Sequence, residues 1–126
     1  MAGLTLDAGA LIGFERKDRR TLTHLKLAQQ LGCELTVPTA VIVEAWRGGP
    51  RSARIASLLE ACILEPLFPE LARTAGEAMA AVKGATVVDA VVMASAASRG
   101  DRVLTSDFDD LDRLRTYFPN VRLLQT

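Results

Sequence analysis

The sequence predicts an α/β fold, a mostly parallel five-stranded sheet covered by helices on both faces. Short apolar runs of strand length alternate along the chain with longer stretches at helical period. Strands joined through helices run parallel, because the crossover returns the chain to the same edge, and both sheet faces are then buried. The apolar material is also aliphatic. Hydrophobic residues make up 49% of the 126 positions and aromatic residues only 5%, so the core must be built from Val, Leu, Ile and Ala. The length fits one domain over residues 1–126, and the hydrophobic share excludes a disordered chain.

The elements follow in order. "GLTLD" reads as the first strand, ending at Asp7. A helical pattern runs from Ala8 to about Leu31, interrupted near the charged run Glu15 to Arg20. Leu22, Leu25, Ala28 and Leu31 recur at helical spacing as a buried stripe, and Gly32 is a natural stop. "ELTVP" is the second strand, closed by Pro38. Thr39 is placed to cap a helix that reaches Trp46 or Arg47 and stops at Gly48-Gly49-Pro50. Ser52 to Ala61 forms a further helix, and "CILEPL" is the third strand. Pro69 opens a helix through Val82, halted by Gly84. "VVDAVVMASAASRG" is a helix ending at Gly100, "RVLT" is the fourth strand, and an acidic segment leads into a helix before the short fifth strand "VRLLQ".

The formal net charge is zero. The chain therefore lacks the overall basic excess of a general nucleic-acid binder, while a local basic patch is still allowed. Twelve of the fifteen basic residues are arginine, a side chain suited to planar, bidentate contacts. No segment is long and apolar enough to span a membrane, and the N-terminus lacks the pattern of a signal peptide, so a cytoplasmic protein is expected. Cys33 and Cys62 are isolated and sit near apolar runs. They read as buried thiols outside any disulfide.

The acidic residues carry the chemistry. In "RVLTSDFDDLDRLR" the fourth strand gives way to Asp107, Asp109, Asp110 and Asp112. Aspartates at a helix start accept backbone N–H bonds and favour the positive end of the helix dipole. That account suffices for Asp109 and Asp112. It does not reach the other strand ends. Asp7 closes the first strand, Glu44 interrupts the apolar run "VPTAVIVEAW" after the second, and Asp89 opens the apolar helix before the fourth. An unpaired buried carboxylate costs several kcal/mol (roughly) and must find a cation or a proton. No lysine or arginine lies within these runs. In a parallel sheet, ligands bind beyond the carboxyl ends of the strands where strand order reverses. Asp7 and Asp107 would stand there side by side, with Glu44 and Asp89 entering from flanking helices. Such a set is tolerable around a divalent cation, and an all-oxygen set suits Mg²⁺ or Mn²⁺. Zinc lacks support, because the single histidine, His24, reads as an ordinary helix residue and the cysteines are scattered.

The stretches "LTLDAGALIG", "VPTAVIVEAW", "VVDAVVMASAA" and "RVLTSDFDDL" resemble the PIN-domain ribonucleases, and among them the VapC-type toxins of toxin–antitoxin pairs. The resemblance spans nearly the whole chain. It implies a three-layer α/β/α sandwich and metal-dependent endonucleolytic cleavage of RNA leaving a 5′-phosphate and a 3′-hydroxyl. Asp7, Glu44, Asp89 and Asp107 match the family's catalytic acids, with Asp7, Asp89 and Asp107 as the metal ligands for Mg²⁺ or Mn²⁺. Thr105 and Ser106 match the hydroxyl positions of the T-x-D motif, and Asp110 matches a further acidic position. The family also implies a homodimer and a cognate antitoxin as partner. One departure is plain: Ala8 and Gly9 stand where a serine or threonine often follows the first aspartate.

An acidic pocket repels RNA, so cations must bring the phosphates in. Arg16, Lys17, Arg19 and Arg20 after the first helical turns, and Arg47, Arg51 and Arg54 after Glu44, are the candidates. Leu22, Leu25 and Ala28, and the helix near Met79, are candidate antitoxin surfaces. Two other readings compete. A non-catalytic PIN-fold binding module would keep the sheet without the metal set. A receiver-like signalling domain would need a phosphoacceptor after the third strand, where the sequence offers Glu65.

Overall fold

The computed structural model describes residues 3–126. Five strands, β1 (Leu4–Leu6), β2 (Leu35–Pro38), β3 (Ile63–Glu65), β4 (Arg102–Thr105) and β5 (Arg122–Gln125), form one sheet in the order β3-β2-β1-β4-β5. Every pairing is parallel. The helices are α1 (Ala8–Glu15), α2 (Arg19–Gln30), α3 (Thr39–Ala45), α4 (Ala53–Glu60), α5 (Pro69–Ala81), α6 (Val87–Arg99) and α7 (Phe108–Leu114), with a 3-10 turn at Pro50–Ser52. α1 packs on α2, α3 and α4, while α6 packs on α5 and α7. These two groups form the outer layers of an α/β/α sandwich. Leu6, Leu11, Val37, Met93, Leu104 and Leu111 are fully buried between the layers, each stabilising the fold by about 1.5–3 kcal/mol.

The chain leaves β1 toward β2 and β3 on one side and returns through α5 and α6 to place β4 on the other side of β1. The strand order therefore reverses between β1 and β4, which opens a crevice beyond their carboxyl ends. α6 precedes β4 and runs antiparallel to it, so its N-terminus faces that same edge. α3, which leaves β2 directly, also touches α6. The receiver-like reading does not survive this order: that fold has β3 inside the sheet, in the order 2-1-3-4-5, whereas here β3 is an edge strand.

Several local expectations shift. The interruption expected in the charged run does separate α1 from α2: Lys17 turns the chain with φ of 58° and Asp18 caps α2 by accepting from Thr21 N at 3.0 Å. Thr39 is not the cap of α3. Pro38 holds that position and no side chain caps the helix, because the strand runs into the helix without an intervening turn. α3 also ends at Ala45, short of Trp46. In the predicted stripe Leu25 and Ala28 are buried, but Leu22 is only half-buried and Leu31 is 52% exposed. The third strand is shorter than "CILEPL", and as an edge strand it leaves Ile63 and Leu64 about half exposed. The two cysteines are half-buried rather than buried, and neither forms a disulfide. Partial burial still pushes the Cys62 thiol up to about 11, and its Sγ donates to Leu58 O. His24 is half-buried on α2.

A polar network that the sequence does not announce fastens the layer under α6. Arg99, the last residue of α6, donates from Nε to Asp101 Oδ2 (3.0 Å), from Nη1 to Glu65 Oε2 (2.9 Å), and from Nη2 to Thr5 Oγ1 (2.9 Å) and Ser95 Oγ (2.8 Å). Asp101 accepts in addition from Thr5 Oγ1 and from Gly3 N, and Ser95 Oγ donates to Glu65 Oε1 at 2.5 Å. Gly100 makes this possible. Its φ of 71° folds the chain back between Arg99 and Asp101, in a conformation that costs glycine little. Glu65 is thus occupied as an ion-pair partner rather than a free phosphoacceptor.

Candidate active site

The register Leu6↔Leu104 aligns the ends of β1 and β4, and Asp7 N donates to Leu104 O at 3.3 Å. Asp7 is 5% exposed. Its carboxylate caps α1 by accepting from Ala10 N at 3.0 Å and shares a side-chain hydrogen bond with Thr105. The Thr105 hydroxyl oxygen in turn accepts from Asp107 N at 2.8 Å. One fully buried hydroxyl therefore ties the first aspartate to the backbone that presents the last. Burial pushes the Asp7 carboxyl up to about 6, against the pull of the Thr105 and Ala10 bonds and with help from the negative charges of Asp107 and Asp89.

Asp89 sits three residues into α6. Its N–H is capped by Thr86 Oγ1 at 3.3 Å, and its half-buried carboxylate also bonds the Thr86 side chain. Helix capping thus explains part of its presence. It does not explain the electrostatics. Burial raises its pKa first, and the charges of Asp110 and Asp107 raise it further against a smaller opposing pull from Arg113. Glu44 on α3 is raised by burial and then by Asp89 and Asp107. The four predicted acids therefore share one field. Asp107 occupies the N-cap position of α7 but makes no side-chain capping bond, so the helix-start account leaves its carboxylate unused.

The arrangement differs from the expected one in exposure. Only Asp7 is buried. Glu44 and Asp107 are exposed, because Val43 (76% exposed) and Trp46 (40%) in the apolar run around Glu44 face outward at the short end of α3. Asp110 is already paired, accepting from Arg113 Nη2 at 2.7 Å. Asp112 pairs with Arg115, and Asp109 stands exposed in the first turn of α7. Among the described residues, no three His, Cys, Asp or Glu side chains are preassembled to hold a metal ion. The set of Asp7, Asp89 and Asp107 nonetheless fits a hard dication by its chemistry. All its donors are oxygens, the negative charge of Asp107 helps raise the pKa of both Asp7 and Asp89, and no cation neutralises Asp7 or Asp107 among the described residues.

Two concavities flank the acids. A broad one of about 560 Å³ is walled by Ser106, Asp107, Asp109, Asp110 and Gln125. A smaller one of about 180 Å³ is lined by Glu44 together with Arg16, Arg47 and Arg51. The structure thereby sorts the predicted cations. Arg54 stacks 5.2 Å over the Phe14 ring, and Lys17, Arg19 and Arg20 are exposed around the α1–α2 turn.

The missing hydroxyl after Asp7 also has a structural account. A Cβ built on Gly9 would stand 2.7 Å from Ser106 Cβ and 3.1 Å from Ser106 N, overlapping the Ser106 hydroxyl. Glycine lets α1 press against the loop that carries Asp107, and a hydroxyl from that loop fills the place. Gly9→Ala is expected to push the loop outward. It should lower stability by about 1–3 kcal/mol, read by thermal melting. Gly76→Ala, with nothing within 4 Å, is the control that should gain a little helix stability.

Comparison with known proteins fits this picture. A PIN domain model matches residues 4–116. Among solved structures, the fold superposes on a chain of VapBC2 from Rickettsia felis bound to a promoter DNA fragment, with a TM-score of 0.79, 11% identity and 98% of each chain covered. It also superposes on a chain of a toxin–antitoxin complex from Klebsiella pneumoniae (TM-score 0.74, 15% identity, covering 94% of this chain and 95% of that one). A third match is DNA-bound VapBC from Salmonella typhimurium (TM-score 0.73, 15% identity, 99% and 98%). At these identities the likeness is one of fold. No curated protein sequence matches significantly. The acids at the strand-order reversal and a family match over nearly the full length lead to one conclusion: the chain belongs to the PIN domain family.

Proposed function

We propose that this protein is a Mg²⁺- or Mn²⁺-dependent endoribonuclease and the toxin of a toxin–antitoxin pair. PIN domains are generally nucleases, typically with divalent metal ions. The observation that carries the reading is the shared field of Asp7, Glu44, Asp89 and Asp107 at one sheet edge.

Asp7, Asp89 and Asp107 would hold the ion, which when bound supplies polarisation of the phosphate and acidification of a water. The rest falls to the chain's own groups. Thr105 fixes the direction of Asp7 and the position of Asp107 together, as supporting hydrogen bonds do for ligands. Glu44, exposed and with its pKa raised by burial and by Asp89 and Asp107, would orient the attacking water, complete the outer shell of the ion, or hold a second ion. Phosphate binding falls to the arginines on the Glu44 side, because the Asp109–Asp110 wall repels RNA on the other.

An antitoxin partner is supported by the neighbours, which include VapBC chains and a chain of a toxin–antitoxin complex. A groove of about 640 Å³ between α2 and α4, lined in part by Leu22, Leu25 and Leu58, offers an apolar seat for an antitoxin helix. A homodimer would have the exposed Ile63, Leu64, Leu67 and Phe68 to cover.

Cleavage of RNA is expected with Mg²⁺ or Mn²⁺ and its loss with EDTA. Asp89→Asn should lower the rate by about 10²-fold or more, since metal stabilisation of the transition state is worth several kcal/mol. Cleavage that persists in EDTA and in Asp89→Asn would overturn the metal mechanism.

A further inference from the structure

Beyond Glu44, three arginines line one small cleft. Arg16, Arg47 and Arg51 line it together with Glu15 and Glu44 over an apolar floor at Ile55. They come from three places in the chain and are held there by local structure. Arg16 is the C-cap of α1, its N–H bonded to Ile12 O. Arg47 follows α3, and one Nη1 donates to Trp46 O at 2.8 Å, with a longer contact to Val43 O. Its remaining donors are uncommitted. The buried Ser52 hydroxyl accepts from both Arg47 N (3.0 Å) and Gly48 N (2.9 Å). That bond pair clamps the loop so that Arg47 and Arg51 share one wall. Neither Arg16 nor Arg51 makes an ion pair or a side-chain hydrogen bond among the described residues, although Glu15 and Glu44 line the same cleft.

The three arginines bring one more charge to the cleft than Glu15 and Glu44 offset, and none of them pairs with either carboxylate among the described residues, so the cleft keeps a positive excess that attracts an anion. A phosphate is the anion whose geometry matches their planar forks. The cleft has room for one phosphate group and little more, and its neighbour Glu44 belongs to the acidic cluster. We propose that this cleft is a phosphate subsite for single-stranded RNA, holding a backbone phosphate next to the one being cleaved, with Glu44 as the partition between the two. This rests on the nuclease reading for the identity of the ligand. It adds a polarity: the strand is gripped on the α1–α3 side, away from the acidic wall on the β5 side.

The test separates binding from cleavage. A short fluorescein-labelled oligouridylate is titrated into the full-length protein in EDTA, where no turnover occurs, across a range of salt concentrations. The expected result is that Arg16→Ala and Arg51→Ala each lower the slope of log K against log salt by about 0.7. Near 0.1 M salt that corresponds to about fivefold weaker binding. Arg51→Lys should keep the slope, because it keeps the charge. Arg73→Ala, exposed on α5 in the opposite layer, should bind as wild type. The side chains concerned are exposed, and melting temperatures confirm that the variants fold. If Arg16→Ala and Arg51→Ala match wild type, or if Arg73→Ala weakens binding as much as they do, the subsite is overturned. If RNA is bound with the expected slopes but never cleaved with metal, the nuclease reading fails and the subsite stands.

Discussion

Asp7→Asn is expected to abolish cleavage and, in the metal-free protein at neutral pH, to raise the melting temperature. Opposite effects on activity and stability mark a residue kept for function against the interest of the fold. The Asp7 carboxyl titrates near 3.8 when solvated and at about 6 in the fold, chiefly because burial disfavours its charge. Between these values the folded chain holds more protons than the unfolded one. Stability therefore falls as pH rises through that window, and the loss is complete above about 6. A rise of this size corresponds to about 3 kcal/mol. Asparagine keeps the size of the side chain and can still accept from Ala10 N, but carries no charge to desolvate. Its gain should show at pH 7.5 as a melting temperature several degrees higher, about 3–5 °C per kcal/mol for a chain of this length, and should vanish near pH 4. Divalent metal should reverse the order, since it stabilises only the protein that binds it. Cleavage by the wild type should decline as pH falls below about 6, because ligands must be deprotonated to bind metal. A variant no more stable than wild type at pH 7.5, or one that still responds fully to Mn²⁺, would remove Asp7 from the site.

The largest effect on stability alone is expected at Arg99. Arg99→Met removes four hydrogen-bond donations at once. It leaves Asp101, whose side chain is 3% exposed, without a cation, and Glu65 with only its serine partner. Breaking a buried pair from one side costs about 3–5 kcal/mol, because the remaining charge has no water to return to. The double variant Arg99→Met, Asp101→Leu should recover much of that loss, since an apolar pair of similar volume is often no less stable than a buried ion pair. Chemical denaturation of wild type, single and double variants measures this directly. A single variant within about 1 kcal/mol of wild type would show that the network is solvated and weak. Because the network joins β1, α6 and β3 away from Asp7, the double variant should retain metal-dependent cleavage.

Comparing sequence and structure, the two kinds of acid separate cleanly. Asp7, Glu44, Asp89 and Asp107 were legible because each stands in or beside an apolar run that offers no cation. Asp101 is as buried as Asp7, yet its sequence context, "SRGDRV", reads as a solvated turn. Only Gly100 in the left-handed conformation brings Arg99 back over it. Glu44 is exposed for a related reason: its apolar neighbours Val43 and Trp46 point to burial in the sequence, but α3 is too short to bury them. The grouping of Arg16, Arg47 and Arg51 out of seven candidate cations was likewise invisible, since their nearness depends on how α1 packs against the α3–α4 connection.

The amino-acid order by itself determined the alternation of strands and helices, the parallel sheet that alternation requires, and the four acids, because period, strand-end position and uncompensated charge are all local quantities. The tertiary structure alone decided which charges meet. It set Asp101 against Arg99, Asp110 against Arg113, and left Asp7 and Asp107, among the described residues, without a cation at the reversal of strand order. Coulomb energy depends on separation in space and on the dielectric between the groups, and neither is written in the spacing of residues along the chain.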